Sequence, residues 1–145
     1  MAEIEVFGFQ AGPSGFVFEG SDLGSNGQWE NYAHLLAHGG RGSGKTVGGA
    51  LRSMRYSLAW PGSHGIITAP TLWMLHDSTF PTFERVLESV GLRRDAGYTY
   101  NKDEERVYIA STNNLILLRS TEHPDRLRGQ TVAWSWMDEP RDSPL

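Results

Sequence analysis

The stretch His38-Gly39-Gly40-Arg41-Gly42-Ser43-Gly44-Lys45-Thr46 decides how the rest of this chain is read. Its Gly39-x4-Gly44-Lys45-Thr46 spacing is that of a P-loop, in which each residue type has a physical task. The glycines at 39, 40, 42 and 44 let successive backbone N–H groups turn toward one anion with no Cβ in the way. Lys45 supplies a flexible point charge for terminal phosphates, and the Thr46 hydroxyl is a hard oxygen ligand suited to Mg²⁺. A helix starting here would aim the positive end of its dipole at the same phosphates. A Gly-rich turn joining two elements is the bland alternative, and context decides against it. Tyr32-Ala33-His34-Leu35-Leu36-Ala37 predicts a buried strand before the loop, and an amphipathic run follows Thr46. Strand, loop and helix in that order predict a nucleotide-binding site.

Bulk properties narrow the setting. A chain of 145 residues is normally one domain with a real core. Its 39% hydrophobic content is modest, and 17 glycines favour loops, yet 11% aromatic residues exclude a disordered chain. A net charge of −4 gives no global basic signature for nucleic acid, although clefts and oligomer channels can be locally basic. The absence of cysteine removes disulfides, thiolate chemistry and Cys-based zinc sites, which suits a reducing cytoplasm. No signal peptide and no apolar run of membrane-spanning length is visible, so no membrane association is expected. Five acidic residues and no Lys or Arg precede Arg41, which makes the N-terminal part a poor DNA-contact surface.

The first 27 residues, rich in Gly, Phe and acids, read as a separate segment of short strands or a hairpin ending in a loop over 21–27; 28–145 read as a partial, C-terminally incomplete P-loop ATPase domain. Val47, Ala50, Leu51, Met54 and Leu58 recur at helical spacing, and Trp60-Pro61-Gly62 ends that helix. Gly65 to Pro70 reads as a short apolar strand running into a loop. Phe83, Val86, Leu87 and Val90 fit one face of a second helix, with Pro81 in its first turn and Gly91 as its cap. Arg106 to Ala110 and Leu115 to Arg119 read as strands around Ser111-Thr112-Asn113-Asn114, and Thr131 to Met137 runs apolar into Asp138-Glu139. The pattern predicts an α/β layer fold with a mostly parallel, P-loop NTPase-type sheet, its ligand site at the carboxyl ends of the strands.

Hydrolysis needs more than a phosphate cradle. Asp138 and Glu139 close an apolar strand, and side chains alternate along a strand, so the two carboxylates would face differently. Asp138 is then suited to the Mg²⁺ shell with Thr46, and Glu139 to polarising the attacking water. An exposed acidic turn is the competing reading of such a pair.

Taken together, the loop, Ile66-Ile67-Thr68-Ala69-Pro70-Thr71, Pro124-Asp125-Arg126-Leu127-Arg128-Gly129 and Met137-Asp138-Glu139 resemble the large terminase subunit of tailed bacteriophages from about Tyr32 onward. The Leu-Arg-Gly segment is the more discriminating part, since the P-loop is shared by many ATPases. The resemblance implies an ATPase that drives double-stranded DNA into a preformed capsid in the host cytoplasm. It implies ATP and Mg²⁺ as cofactors, and a homo-oligomeric ring, the capsid portal and the small terminase subunit as partners. It also implies that Arg41 contacts the γ-phosphate and that Arg128 acts in trans on a neighbour's nucleotide. A guanidinium fits that task because its planar fork matches phosphate oxygens. A surface ion pair of Arg128 with Asp125 or Glu122 is the plainer alternative. Departures are present too. Pro140 biases Glu139 toward extended backbone, and the adenine-reading glutamine falls on Gln10 or Gln28, with Trp29 or Tyr32 able to stack on a base. Relative to that family the chain would be a front part without the nuclease domain, with little or no ATPase activity alone. A helicase- or recombination-type P-loop ATPase and a non-catalytic remnant are the other readings.

Other residues read as structural. His34, His38, His64, His76 and His123 form no metal-ligand pattern with a third partner. Trp134 and Trp136 suit core packing. Asp103-Glu104-Glu105 suits a solvated turn, and Asn101-Lys102-Asp103-Glu104 resembles a guanine-reading Asn-Lys-x-Asp only superficially, because its last position is Glu and no strand leads cleanly into it. Arg93-Arg94 suits either DNA phosphates or a helix end.

Overall fold

The computed structural model describes residues 42–139. The predicted strand Tyr32–Ala37, the segment 1–27, Gly39, Gly40, Arg41 and the four candidate adenine contacts lie outside the described residues. The described residues divide between Gly48 and Gly49 into two units.

In chain order the elements are α1 (Lys45–Ala59), β1 (His64–Ala69), α2 (Leu72–Met74), a π-helical turn (Leu75–Thr79), α3 (Phe80–Ser89), β2 (Tyr98–Asn101), β3 (Arg106–Ile109), β4 (Asn114–Ser120), a 3-10 turn (Pro124–Leu127) and β5 (Trp134–Met137). Helix α1 follows the expected period, with Ala50, Leu51 and Met54 buried. Leu58, in its last turn, stays partly exposed. The helix stops at the predicted Trp60-Pro61-Gly62, where Gly62 takes φ +74 and its N–H reaches Thr112 O at 2.7 Å.

The sheet runs β2-β3-β4-β1-β5. Strand β1 is parallel to both β4 and β5, whereas β2–β3 and β3–β4 are antiparallel. The expected mostly parallel sheet is therefore mixed, half parallel and half meander among the described strands. The reason lies in the connections. A parallel crossover takes a dozen or more residues, and 110–113 between β3 and β4 is far too short for one. Asn113 at φ +56 makes that turn, an αL position that Asn tolerates.

Strand β2 has no counterpart in the sequence reading. Its Tyr98-Thr99-Tyr100 alternation was the available signal, and its link to β3 is shaped by Asn101, whose Oδ1 accepts from the N–H of Asp103 at 3.0 Å and Glu104 at 3.1 Å. That bonding keeps Asn101 inside a turn. Glu105, expected to be solvated, is instead half-buried: its carboxylate meets His76 Nε2 at 3.0 Å and the Tyr100 hydroxyl at 2.9 Å. Its carbonyl accepts from Leu118 N–H. The acidic run is a turn whose third carboxylate ties the β2–β3 hairpin to the π-helical turn.

Ile67, Ile116, Leu118, Val107 and Ile109 are fully buried along the strands, together with Phe83 and Leu87 of α3. Trp134 is buried as expected and sits opposite Gly65 in the β1–β5 register. A Cβ on Gly65 would lie 2.0 Å from Trp134 Cζ2. Gly65→Ala must therefore displace an indole held in the core, and we expect it to lower unfolding free energy by about 1–3 kcal/mol, measured as a shift in urea midpoint.

At the other edge, the Glu84 carboxylate accepts from the Tyr98 hydroxyl at 2.8 Å and from the Arg94 guanidinium. Arg94 also lies 5.3 Å from the Tyr100 ring centroid, which supports the helix-end reading of that arginine. Burial first, and then the bond to Glu84, pushes the Tyr98 phenol up to about 12. In the unfolded chain it titrates near its ordinary value of about 10. Below pH 10 both states hold the proton and the stabilisation is complete. Between about pH 10 and 12 the unfolded state releases it and the folded state does not, so stability falls across that window. Tyr98→Phe is expected to reduce the slope of Tm against pH there.

Candidate active site

In the loop, Gly42 and Gly44 take φ +77 and +85, conformations that side-chain-bearing residues rarely adopt. Helix α1 begins directly after them at Lys45, and the Gly48 N–H to Gly44 O bond of 2.8 Å closes its first turn. The Ser43 hydroxyl oxygen is shielded from solvent and has no hydrogen-bond partner among the described residues. Two left-handed glycines around a shielded, unsatisfied hydroxyl at a helix start match what a phosphate group requires. Lys45 and Thr46 stand in the helix's first turn.

At the acidic strand end, three parallel strands finish together. Thr121 N–H reaches Ala69 O at 3.0 Å, and Asp138 N–H reaches Thr68 O at 2.8 Å, so pairing continues one residue past β4 and β5. Asp138 thus sits at the carboxyl ends of β1, β4 and β5, where α/β sheets bind ligands. It is 8% exposed, and its Oδ2 accepts from the Thr79 hydroxyl at 2.8 Å. A buried, hydrogen-bonded carboxylate is unlike the exposed acidic turn that was the competing reading.

Glu139 departs from expectation. Pro140 should favour extended backbone before it, yet Glu139 takes φ +47. The strand ends at Met137, and a left-handed residue turns the chain sharply after Asp138. Left-handed non-glycine residues cost about 1–3 kcal/mol and gather at functional sites.

Arg128 is exposed, its Nε 3.4 Å from Asp125 Oδ1, with both side chains more than four-fifths accessible. The surface ion pair weighed against the trans role is therefore present, but such a pair is worth well under about 1 kcal/mol and leaves the guanidinium able to leave. Gly129 at φ +76 turns the chain immediately after it.

Mg²⁺ commonly takes one or two protein ligands plus phosphate oxygens and waters; Thr46 offers a hydroxyl in the first turn of α1 and Asp138 a carboxylate at the strand ends, each by itself a hard oxygen donor. Among the described residues, no cluster of three or more His, Asp or Glu side chains suits a metal ion, and no helix is long and apolar enough to cross a membrane. A separate cleft of about 360 Å³ lies between β4 and the β2–β3 turn, lined by Glu104, Glu105, Arg119 and Arg126 among others. Arg119 there donates to the carbonyls of Glu104, Glu105 and Leu118.

Sequence reasoning missed Thr79. The available signal was a polar residue on an otherwise apolar face, four after Leu75 and four before Phe83, both fully buried.

No family model and no curated protein matches the chain. Solved structures do. The ATPase domain of the Thermus phage P74-26 large terminase superposes with a TM-score of 0.54 at 23% identity, over 72% of this chain and 47% of that one. The large terminase of a second, thermophilic bacteriophage superposes with a TM-score of 0.70 at 16% identity, over 94% of this chain and 33% of that one. The chain thus spans about half the length of the first and a third of the second. At these identities the likeness concerns architecture alone: the chain folds like part of these phage large terminase chains.

Proposed function

We propose that this chain is the ATP-binding and ATP-hydrolysing region of a phage terminase large subunit, a motor that moves double-stranded DNA into a capsid. The observation that carries the reading is the left-handed Gly42 and Gly44 immediately before the helix starting at Lys45, within a terminase-type fold. In this reading Gly39 to Thr46 cradle the phosphates. Lys45 neutralises the terminal phosphates, and Arg41 contacts the γ-phosphate. Thr46 and Asp138 hold Mg²⁺, which when bound supplies charge neutralisation on the phosphate oxygens. Glu139 orients and deprotonates the attacking water, and Arg128 acts on the nucleotide of a neighbouring subunit in a ring. Portal and small terminase subunit are the expected partners, in the host cytoplasm.

A site completed in trans works poorly in a dilute monomer, so the 145-residue chain should bind ATP but release phosphate slowly. The test is equilibrium binding of a fluorescent ATP analogue with Mg²⁺, and displacement by unlabelled ATP. Saturable, displaceable binding is expected, and its absence would overturn the reading. Rapid steady-state phosphate release, with or without DNA, would overturn the assignment of an essential neighbour.

A further inference from the structure

We propose that Thr79 is a positioning residue for Asp138, holding its carboxylate in the orientation that a divalent cation requires. The inference rests on the reading of Asp138 as the metal anchor. The Thr79 side chain is 1% exposed, so its hydroxyl must find an acceptor inside the protein. It donates to Asp138 Oδ2 at 2.8 Å across a separation of 59 residues. The Asp138 backbone is fixed independently by its N–H bond to Thr68 O. Carboxylate and main chain are therefore gripped from two different elements.

The π-helical turn explains how Thr79 comes to be there. Phe80 N–H bonds to Leu75 O, one residue further back than in an α-helix. The inserted residue changes the rotational phase between α2 and α3 by roughly 100°. Thr79 is thereby buried in line with Leu75 and Phe83 while α3 keeps its own apolar face inward. Such turns recur at functional sites, and a carboxylate that ligates a metal is ordinarily itself hydrogen-bonded. A hydrophobe of the same shape would serve packing equally well. It could not orient a carboxylate.

The test compares Thr79→Val, Thr79→Ser and Asp138→Ala in the full chain. Mn²⁺ affinity in the presence of ADP is measured by electron paramagnetic resonance, nucleotide affinity in EDTA by fluorescence, and Tm by circular dichroism. Losing such an outer partner typically costs about 10–100-fold in metal affinity. Thr79→Val is expected to show a loss of that order with nucleotide affinity in EDTA unchanged, and Thr79→Ser to restore Mn²⁺ binding to within about threefold. Should Thr79→Val unfold, Thr79→Cys keeps the volume with a weaker donor and is expected to give an intermediate loss. If Asp138→Ala loses Mn²⁺ affinity while the folded Thr79 variant keeps it, the positioning role is overturned and Asp138 stands as the anchor. If Asp138→Ala itself keeps Mn²⁺ affinity, the reading of Asp138 falls and this inference falls with it.

Discussion

Lys45→Ala is expected to weaken ATP binding by about 2–5 kcal/mol, the usual cost of deleting one partner of a close charged pair, or roughly thirty- to several-thousandfold in Kd. Lys45 stands at the first position of α1, directly after the left-handed Gly44. Its ammonium would reach phosphates that the loop's backbone draws in by N–H groups alone, so the two contributions are separable. Lys45→Arg tests the shape of the interaction, because it keeps the charge but replaces a compact ammonium with a broad planar fork. Intermediate affinity is expected. Tm, read beside affinity in both variants, separates a lost phosphate contact from a loss of fold. An affinity for ATP that survives Lys45→Ala would show that the glycine spacing is a turn and nothing more.

The loop was legible because its requirement is local. Glycine is favoured where the backbone turns left-handed, and Gly42 and Gly44 do so directly before the helix read after Thr46. Helices α1 and α3 were legible for the same reason: their buried residues repeat every three or four positions. The order of the sheet was not. Whether β4 pairs with β1 or only with β3 depends on contacts some fifty residues apart, which no local pattern encodes. The hairpin turns did carry the information that neighbouring strands must be antiparallel, and an overall parallel expectation overrode it. Strand β2 escaped notice because four residues, two of them tyrosines, give too short a period to read. The partnership of Thr79 with Asp138 lies furthest from the sequence. A single threonine on an apolar face has many possible acceptors, and a π-helical turn leaves no composition signal. The left-handed Glu139 runs against the local rule that Pro140 imposes, and conflicts of that kind are expected at functional positions.

Glu139→Gln is expected to separate binding from chemistry. Glutamine preserves the length and shape of the side chain and loses the basicity that lets a carboxylate take a proton from water. General-base contributions are typically about 10²–10⁴-fold, so single-turnover hydrolysis, with the chain in excess over labelled ATP and followed for hours, should slow by that factor. Affinity for ATP should change by less than about threefold, because a group that acts on the water adds little to ground-state binding. The φ of +47 at this position supplies the necessary control. Glutamine tolerates left-handed backbone no better than glutamate does, so the backbone strain is carried over, and Tm is measured beside the rate. A fall in rate at constant Tm and constant affinity would therefore belong to the lost carboxylate rather than to a rearranged turn. If hydrolysis is unchanged, Glu139 is a residue that shapes the chain after Asp138, and the water must be activated by another group. The contrast with Asp138→Ala is then informative. Asp138 is buried and hydrogen-bonded to Thr79, so its loss is expected to lower metal affinity and stability together, whereas loss of the Glu139 carboxylate should leave metal affinity intact.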